Sequence, residues 1–229
     1  MRKLERRRWT DRMGAGLFCL TLAVSGAWAL VGTPFEGNDG DLMAAAGTDW
    51  DSFLATGQLL VGNDMPSGQQ DDSLKGKEDD TPPGVVFGSI PSNKSDLTRF
   101  YVVYDHLEDG AEIRDLLYVS WFRTNTLGSA NMDFEFNQSK VISGNGATPV
   151  RTEGDVLVMF GFSGGGTQAA LAMSRWTETG ACEAASRPPC WGPSTPLSGI
   201  AEGAVNGAEV VDPVTGETMP PYTFGEAAI

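Results

Sequence analysis

Between Val85 and Trp176, six segments carry strand chemistry and glycine-rich turn signals separate them, which limits the fold more than any other feature of the chain. Residues 85–90, 99–104 (RFYVVY) and 116–122 (LLYVSWF) are rich in β-branched and aromatic side chains. Residues 132–137 (MDFEFN) alternate, which sends Met132, Phe134 and Phe136 inward and Asp133, Glu135 and Asn137 outward. Residues 156–162 (VLVMFGF) are apolar at every position, as expected of a central strand covered on both faces. Residues 168–176 (QAALAMSRW) have the Ala, Leu and Met of a helix, yet also suit a hairpin partner for 156–162; strand neighbours favour the strand. Short strands without convincing amphipathic helices between them predict a mainly β fold, an antiparallel β-sandwich or jelly-roll-like domain with long acidic and Gly/Pro-rich loops.

The N-terminus predicts export. Arg2, Lys3, Arg6, Arg7, Arg8 and Arg12 precede an uncharged stretch over 13–35, whose apolar heart is 17–24 (LFCLTLAV). Ala27 and Ala29 supply the small residues that signal peptidase needs, so 1–29 is expected to be a signal peptide cut after Ala29. The alternative is an uncut signal anchor, since the stretch is long enough to span a bilayer although Gly, Pro and Ser dilute it. The expected localisation is secreted or extracellular, with cell-wall association as a further possibility. Cleavage removes Cys19 and leaves Cys182 and Cys190, eight positions apart across Pro188-Pro189, as an expected local disulfide.

Residues 30–229 are expected to form one β-sandwich domain: a loop-rich part over 30–83, a strand-rich core over 84–176, and a disulfide loop with C-terminal strands over 177–229. Within the first part, short strands are expected near 31–35 and 58–61, and 71–80 (DDSLKGKEDD) reads as an acidic surface loop. Weak strands are expected near 209–211 and 222–229. The still-apolar end at Ile229 gives the expectation of a piece of a longer protein.

Charge narrows the partners. The chain has 16 basic and 30 acidic side chains, a net charge of -14, and residues 1–29 hold six of the basic ones and only two of the acidic ones. The exported part is therefore more acidic than the whole, which argues against nucleic acid and anionic membrane surfaces as partners, with membrane contact only through an uncut signal segment. A cell-wall or extracellular glycan, or a protein ligand, is the expected class of partner.

No catalytic constellation emerges, and the expectation is a non-enzymatic module. Gly161-Phe162-Ser163-Gly164-Gly165 fits G-x-S-x-G, so Ser163 is the alternative, a serine hydrolase nucleophile. The one histidine, His106, precedes it in an expected exposed turn, and a hydrolase of this kind needs its His after the Ser. A glycine-rich hairpin turn explains the same residues. Residues 161–167 (GFSGGGT) lack the Lys of a phosphate loop. Asp133 and Glu135 are a conceivable glycosidase pair, but both sit on the outward face of one strand. Asp39, Asp41, Asp49 and Asp51 are candidate calcium ligands, the basis of a second alternative, a calcium-stabilised carbohydrate-binding module; a solvated acidic surface accounts for them without an ion. No other cofactor is expected. Trp121 and Trp176 read as core anchors, while Trp50 and Trp191, expected in loops, either stack on sugars or pack beneath the loops. Asn93 and Asn137 sit in N-glycosylation patterns.

The stretches 35–42 (FEGNDGDL), 48–50 (TDW), 89–101 (SIPSNKSDLTRFY), 117–138 (LYVSWFRTNTLGSANMDFEFNQ), 154–157, 174–176 and 224–229 (FGEAAI) occur in an order that resembles a group of uncharacterised secreted β-rich proteins of high-G+C Gram-positive bacteria. The resemblance implies a secreted β-rich module, often followed by Ig-like or prealbumin-like repeats and sometimes by a cell-wall anchor. It implies no catalytic residues.

Overall fold

The structure, a computed structural model, describes residues 35, 40–45, 47–64, 72–87, 96–109, 112–124, 128–164 and 166–229. Its one helix among these is α1 (Trp50–Thr56). The strands are β1 (Leu60–Asn63), β2 (Asp72–Lys75), β3 (Gly84–Phe87), β4 (Leu97–Asp109), β5 (Glu112–Arg123), β6 (Ala130–Phe136) and β7 (Val156–Ser163), then β8 (Gln168–Thr177), β9 (Cys190–Trp191), β10 (Thr195–Pro196), β11 (Glu202–Val205), β12 (Val210–Val211), β13 (Thr218–Met219) and β14 (Phe224–Ala228). Sheet I runs β1-β4-β5-β14-β11, and sheet II runs β10-β8-β7-β6 with β9 beside β8. Every strand pair is antiparallel, so the expected antiparallel β-sandwich is the fold.

Alternation along the strands generates three apolar layers. Val119 and Trp121 of β5 and Ala227 of β14 face Met132, Phe160 and Phe162 across the two sheets. Trp121 lies edge-on to Phe160, ring centroids 4.2 Å apart, and such pairs add about 0.5–1.5 kcal/mol to the burial itself. Gly225 makes room for this indole: a Cβ there would stand 2.8 Å from Cζ2 of Trp121. The opposite face of sheet I, with Tyr101, Tyr118, Phe122 and Phe224, packs under Phe35, Leu42, Trp50 and Phe53 of the N-terminal part and under Val210 and Met219 of the β12–β13 ribbon. The outer face of sheet II carries a small third layer of Leu157, Trp176 and Trp191. Strand β7 is thus covered on both faces, as its apolar run predicts, and 168–177 is the hairpin partner rather than a helix.

Several expectations need correction. The 30–83 part is not only loops and short strands: Asp49 caps α1, accepting from the Trp50 amide at 2.6 Å, Ser52 completes a capping box, and Gly57 closes the helix at φ 75°. The caps, rather than a long apolar stripe, define this helix. Part of the acidic loop at 71–80 is strand β2, paired with β3. The strand expected near 31–35 lies outside the described residues except for Phe35, which bridges to Thr48. His106 is not in a turn but within β4, opposite Asp115 of β5. Trp50 and Trp191 belong to α1 and β9 and are both buried. Among the described residues no helix is long and apolar enough to cross a membrane.

Candidate functional site

The pairing of β6, β7 and β8 puts Asp133, Glu135, Leu157, Met159 and Ser174 on the face of sheet II turned away from the central core. In most sandwiches such a face is wet. Here the β2–β3 ribbon with its connecting loop, and the loop closed by Cys182–Cys190, fold over it. The expected disulfide is present, with Cα atoms 5.7 Å apart. Asp79 Oδ1 joins the two covering segments by accepting from the Trp191 amide at 2.7 Å.

Arg151 fastens this cover. Its Nε and Nη2 donate to the two oxygens of Glu135 at 2.9 and 2.7 Å, a bidentate pair. Its Nη1 donates to the carbonyls of Glu78 and Asp80 at 2.6 and 3.1 Å. The guanidinium also lies over the rings of Trp176 and Trp191, 4.9 and 5.1 Å from their centroids, and the two indoles meet edge to face. One buried cation therefore holds strand β6, the β2–β3 loop and the disulfide loop together.

Beside it opens a cavity of about 380 Å³, lined by Lys77, Glu78, Asp133, Glu135, Arg151 and Leu157 among others. That size falls within the range of roughly 300–1,000 Å³ typical of small-molecule sites. An adjoining hollow of about 120 Å³ shares Glu78 and Leu157 and adds Asp79, Glu183 and Trp191. Loss of hydration against the cavity walls raises the Glu78 carboxyl, and the charges of Asp133 and Asp79 raise it further, against the opposing pull of Arg151. Loss of hydration also raises Asp133. Glu135 is neutralised by Arg151, whereas Glu78 and Asp133 receive no hydrogen bond from another described residue. The buried indole Nε1 of Trp191 likewise has no partner among the described residues.

A more open hollow of about 740 Å³ lies at one end of sheet I, with Arg99 and Arg123 in its lining. Both cations are committed internally, Arg99 to Asp212 and Arg123 to the Tyr222 carbonyl at 3.0 and 2.8 Å. The acidic cavity, with polar groups still to be satisfied, is the better candidate.

The residues singled out in the sequence fall as follows. Asp133 and Glu135 do share an outward face, on which Asp133 stays exposed as expected, whereas the cover reaches Glu135 and makes it an ion-pair partner rather than a solvated acid. Ser163 ends β7 opposite Gln168, its carbonyl accepts from the Gly166 and Thr167 amides, and its hydroxyl lies 3.4 Å from Gln168 Oε1, so G-x-S-x-G forms a β-hairpin turn rather than a strand-to-helix elbow. His106 Nδ1 is 2.7 Å from Asp115 Oδ1, in the β4–β5 ribbon. Asp41 accepts from the Met43 amide, Asp51 from the Ala44 amide, and Asp49 is the helix cap. Among the described residues no group of three or more His, Cys, Asp or Glu is arranged to hold a metal ion. Asp39, Ala27, Ala29 and Asn93 lie outside the described residues. Sequence reasoning missed Glu78, Arg151 and Trp191 as one site; an arginine and two tryptophans far apart in the chain gave no local signal that they meet.

No protein-family model matches this chain, and no curated protein and no solved structure shows detectable similarity to it.

Proposed function

We propose that this chain is a secreted or cell-surface module of the uncharacterised β-rich group that it resembles, acting by binding an extracellular or cell-wall glycan rather than by catalysis. The cavity between the β2–β3 loop and the disulfide loop carries the reading: a concave site of ligand size, an exposed apolar side chain at Leu74, and acceptors at Glu78 and Asp133 suited to sugar hydroxyls. The signal-like N-terminus and the disulfide support work outside the cell. A glycan array probed with the exported part, 30–229, tests it. Retention on a defined set of glycans, lost in Glu78→Gln with Asp133→Asn, is expected. A blank array, or binding that the double variant retains, overturns the reading.

A further inference from the structure

Resting on that reading, the geometry points to a ligand class: an amino sugar, with its protonated 2-amine held between the carboxylates of Glu78 and Asp133 and a neighbouring ring oxygen or hydroxyl accepting from Nε1 of Trp191. Three observations converge on this chemistry. The first is charge. The linings of the two neighbouring hollows, which share Glu78 and Leu157, hold Glu78, Asp79, Asp133, Glu135 and Glu183 against Lys77 and Arg151, an excess of negative charge along one open cleft. The strongest cation, Arg151, is already consumed by Glu135. A site walled by unbalanced carboxylates attracts a cationic group.

The second is the distinction between a metal and an organic cation. Calcium asks for six to eight oxygens, and no described cluster supplies a metal with even three acidic or imidazole ligands. Two carboxylates are enough for an ammonium, which donates three hydrogen bonds and takes charge-assisted acceptors at ordinary distances.

The third is the orphaned indole. Trp191 is 3% exposed and lines the smaller hollow, and its Nε1 lacks an acceptor among the described residues. A buried donor of this kind is costly unless a ligand completes it. Because Glu78 borders both hollows, a cation at its carboxylate would have this donor in the adjoining hollow, where an acceptor is wanted. A 2-amino sugar carries oxygens on the carbons flanking its amine, whereas a lysine side chain separates its ammonium from any acceptor by four methylenes. The vicinal amino alcohol satisfies both demands at once.

Four β-1,4-linked or linear tetramers separate the outcomes by calorimetry in slightly acidic buffer: glucosamine, N-acetylglucosamine, glucose, and lysine. Glucosamine tetramer is expected to bind about tenfold or more tightly than the acetylated and neutral sugars, by the strength of a charge-assisted hydrogen bond. Glu78→Gln and Asp133→Asn should each remove that preference, and Trp191→Phe, which keeps a ring beneath Arg151, should weaken glucosamine binding severalfold. Equal binding of the three sugars overturns the amino-sugar inference and leaves the glycan reading standing. Equal binding of tetralysine overturns it in favour of simple cation attraction. Absence of binding to all four overturns both.

Discussion

The indole Nε1 of Trp50 donates to Oε2 of Glu226 at 2.8 Å, joining residues 176 positions apart. The other oxygen of the same carboxylate accepts from the Gly40 amide at 2.8 Å, and both Trp50 and Glu226 are fully buried. A carboxylate on β14 thus fixes the N-terminal segment over sheet I, where Phe35 stacks on Tyr118 with centroids 4.1 Å apart. The polar pair sets where that apolar layer lands.

Removal of this acceptor should loosen the whole cover of sheet I. Glu226→Ala leaves the Trp50 and Gly40 donors without it, at about 1–3 kcal/mol each. Urea denaturation should show a loss of about 2–6 kcal/mol, with Glu226→Gln recovering part of it because its amide oxygen still accepts one bond. A variant as stable as the parent would show that the pair does not hold the segment.

Two sets of carboxyls should give pH effects of opposite sign. Burial pushes Asp155 upward, but bonds from the amides and side chains of Gln138 and Thr152 outweigh it and hold the carboxyl below its ordinary 3.8. Its stabilisation is present above 3.8 and lost as pH falls through the lower folded value. Glu78 and Asp133 are raised in the folded chain, so their ionisation opposes folding above their ordinary 4.5 and 3.8, and acid relieves it. Melting curves against pH should therefore show Asp155→Asn losing stability near neutrality, with the deficit shrinking in acid. Glu78→Gln should melt slightly higher than the parent near neutrality, with the gain fading in acid. Parallel curves for parent and variants would contradict both assignments.

The disulfide closes a short loop, and the chain-entropy model assigns it roughly 2–3 kcal/mol. Cys182→Ala with Cys190→Ala should lower the melting temperature by roughly 4–12 °C, at about 2–4 °C per kcal/mol. Circular dichroism should still report the sandwich, because only the two residues of β9 at the end of this loop pair with sheet II. Ligand affinity should fall more steeply than stability, since Trp191 and Glu183 stand on this loop.

Ser163→Ala should leave stability within about 0.5 kcal/mol, as expected of an exposed turn. A fluorophosphonate probe should label neither protein. Stoichiometric labelling of the parent, lost in the variant, would replace the binding reading with the hydrolase one.

The sandwich was legible because β5, β6 and β7 advertise themselves through residues that belong in any strand, and because glycine turns mark their ends. Helix α1 was missed because it is only about two turns long and signalled by its caps at Asp49 and Gly57 rather than by periodicity. The site was hidden for a different reason. Alternation correctly turned Asp133 and Glu135 away from the central core, yet it cannot report that residues 72–87 and 182–191 return to cover that face. Arg151, which makes the cover possible, is a single side chain in an irregular segment with partners some 16 to 73 positions away.

The three apolar layers are unequal. The outermost, over sheet II, has only Leu157, Trp176 and Trp191 fully buried and depends on polar ties through Arg151 and Asp79. Such a layer opens with a smaller free energy than the sheets beneath it, and its amides at 72–87 and 182–191 should exchange with solvent well before those of β5 and β7. A ligand held as proposed would then sit in the least cooperative part of the molecule. On warming, the ability to hold a ligand would vanish while the sandwich itself remained folded, so a thermal assay of binding and one of secondary structure would report two different temperatures.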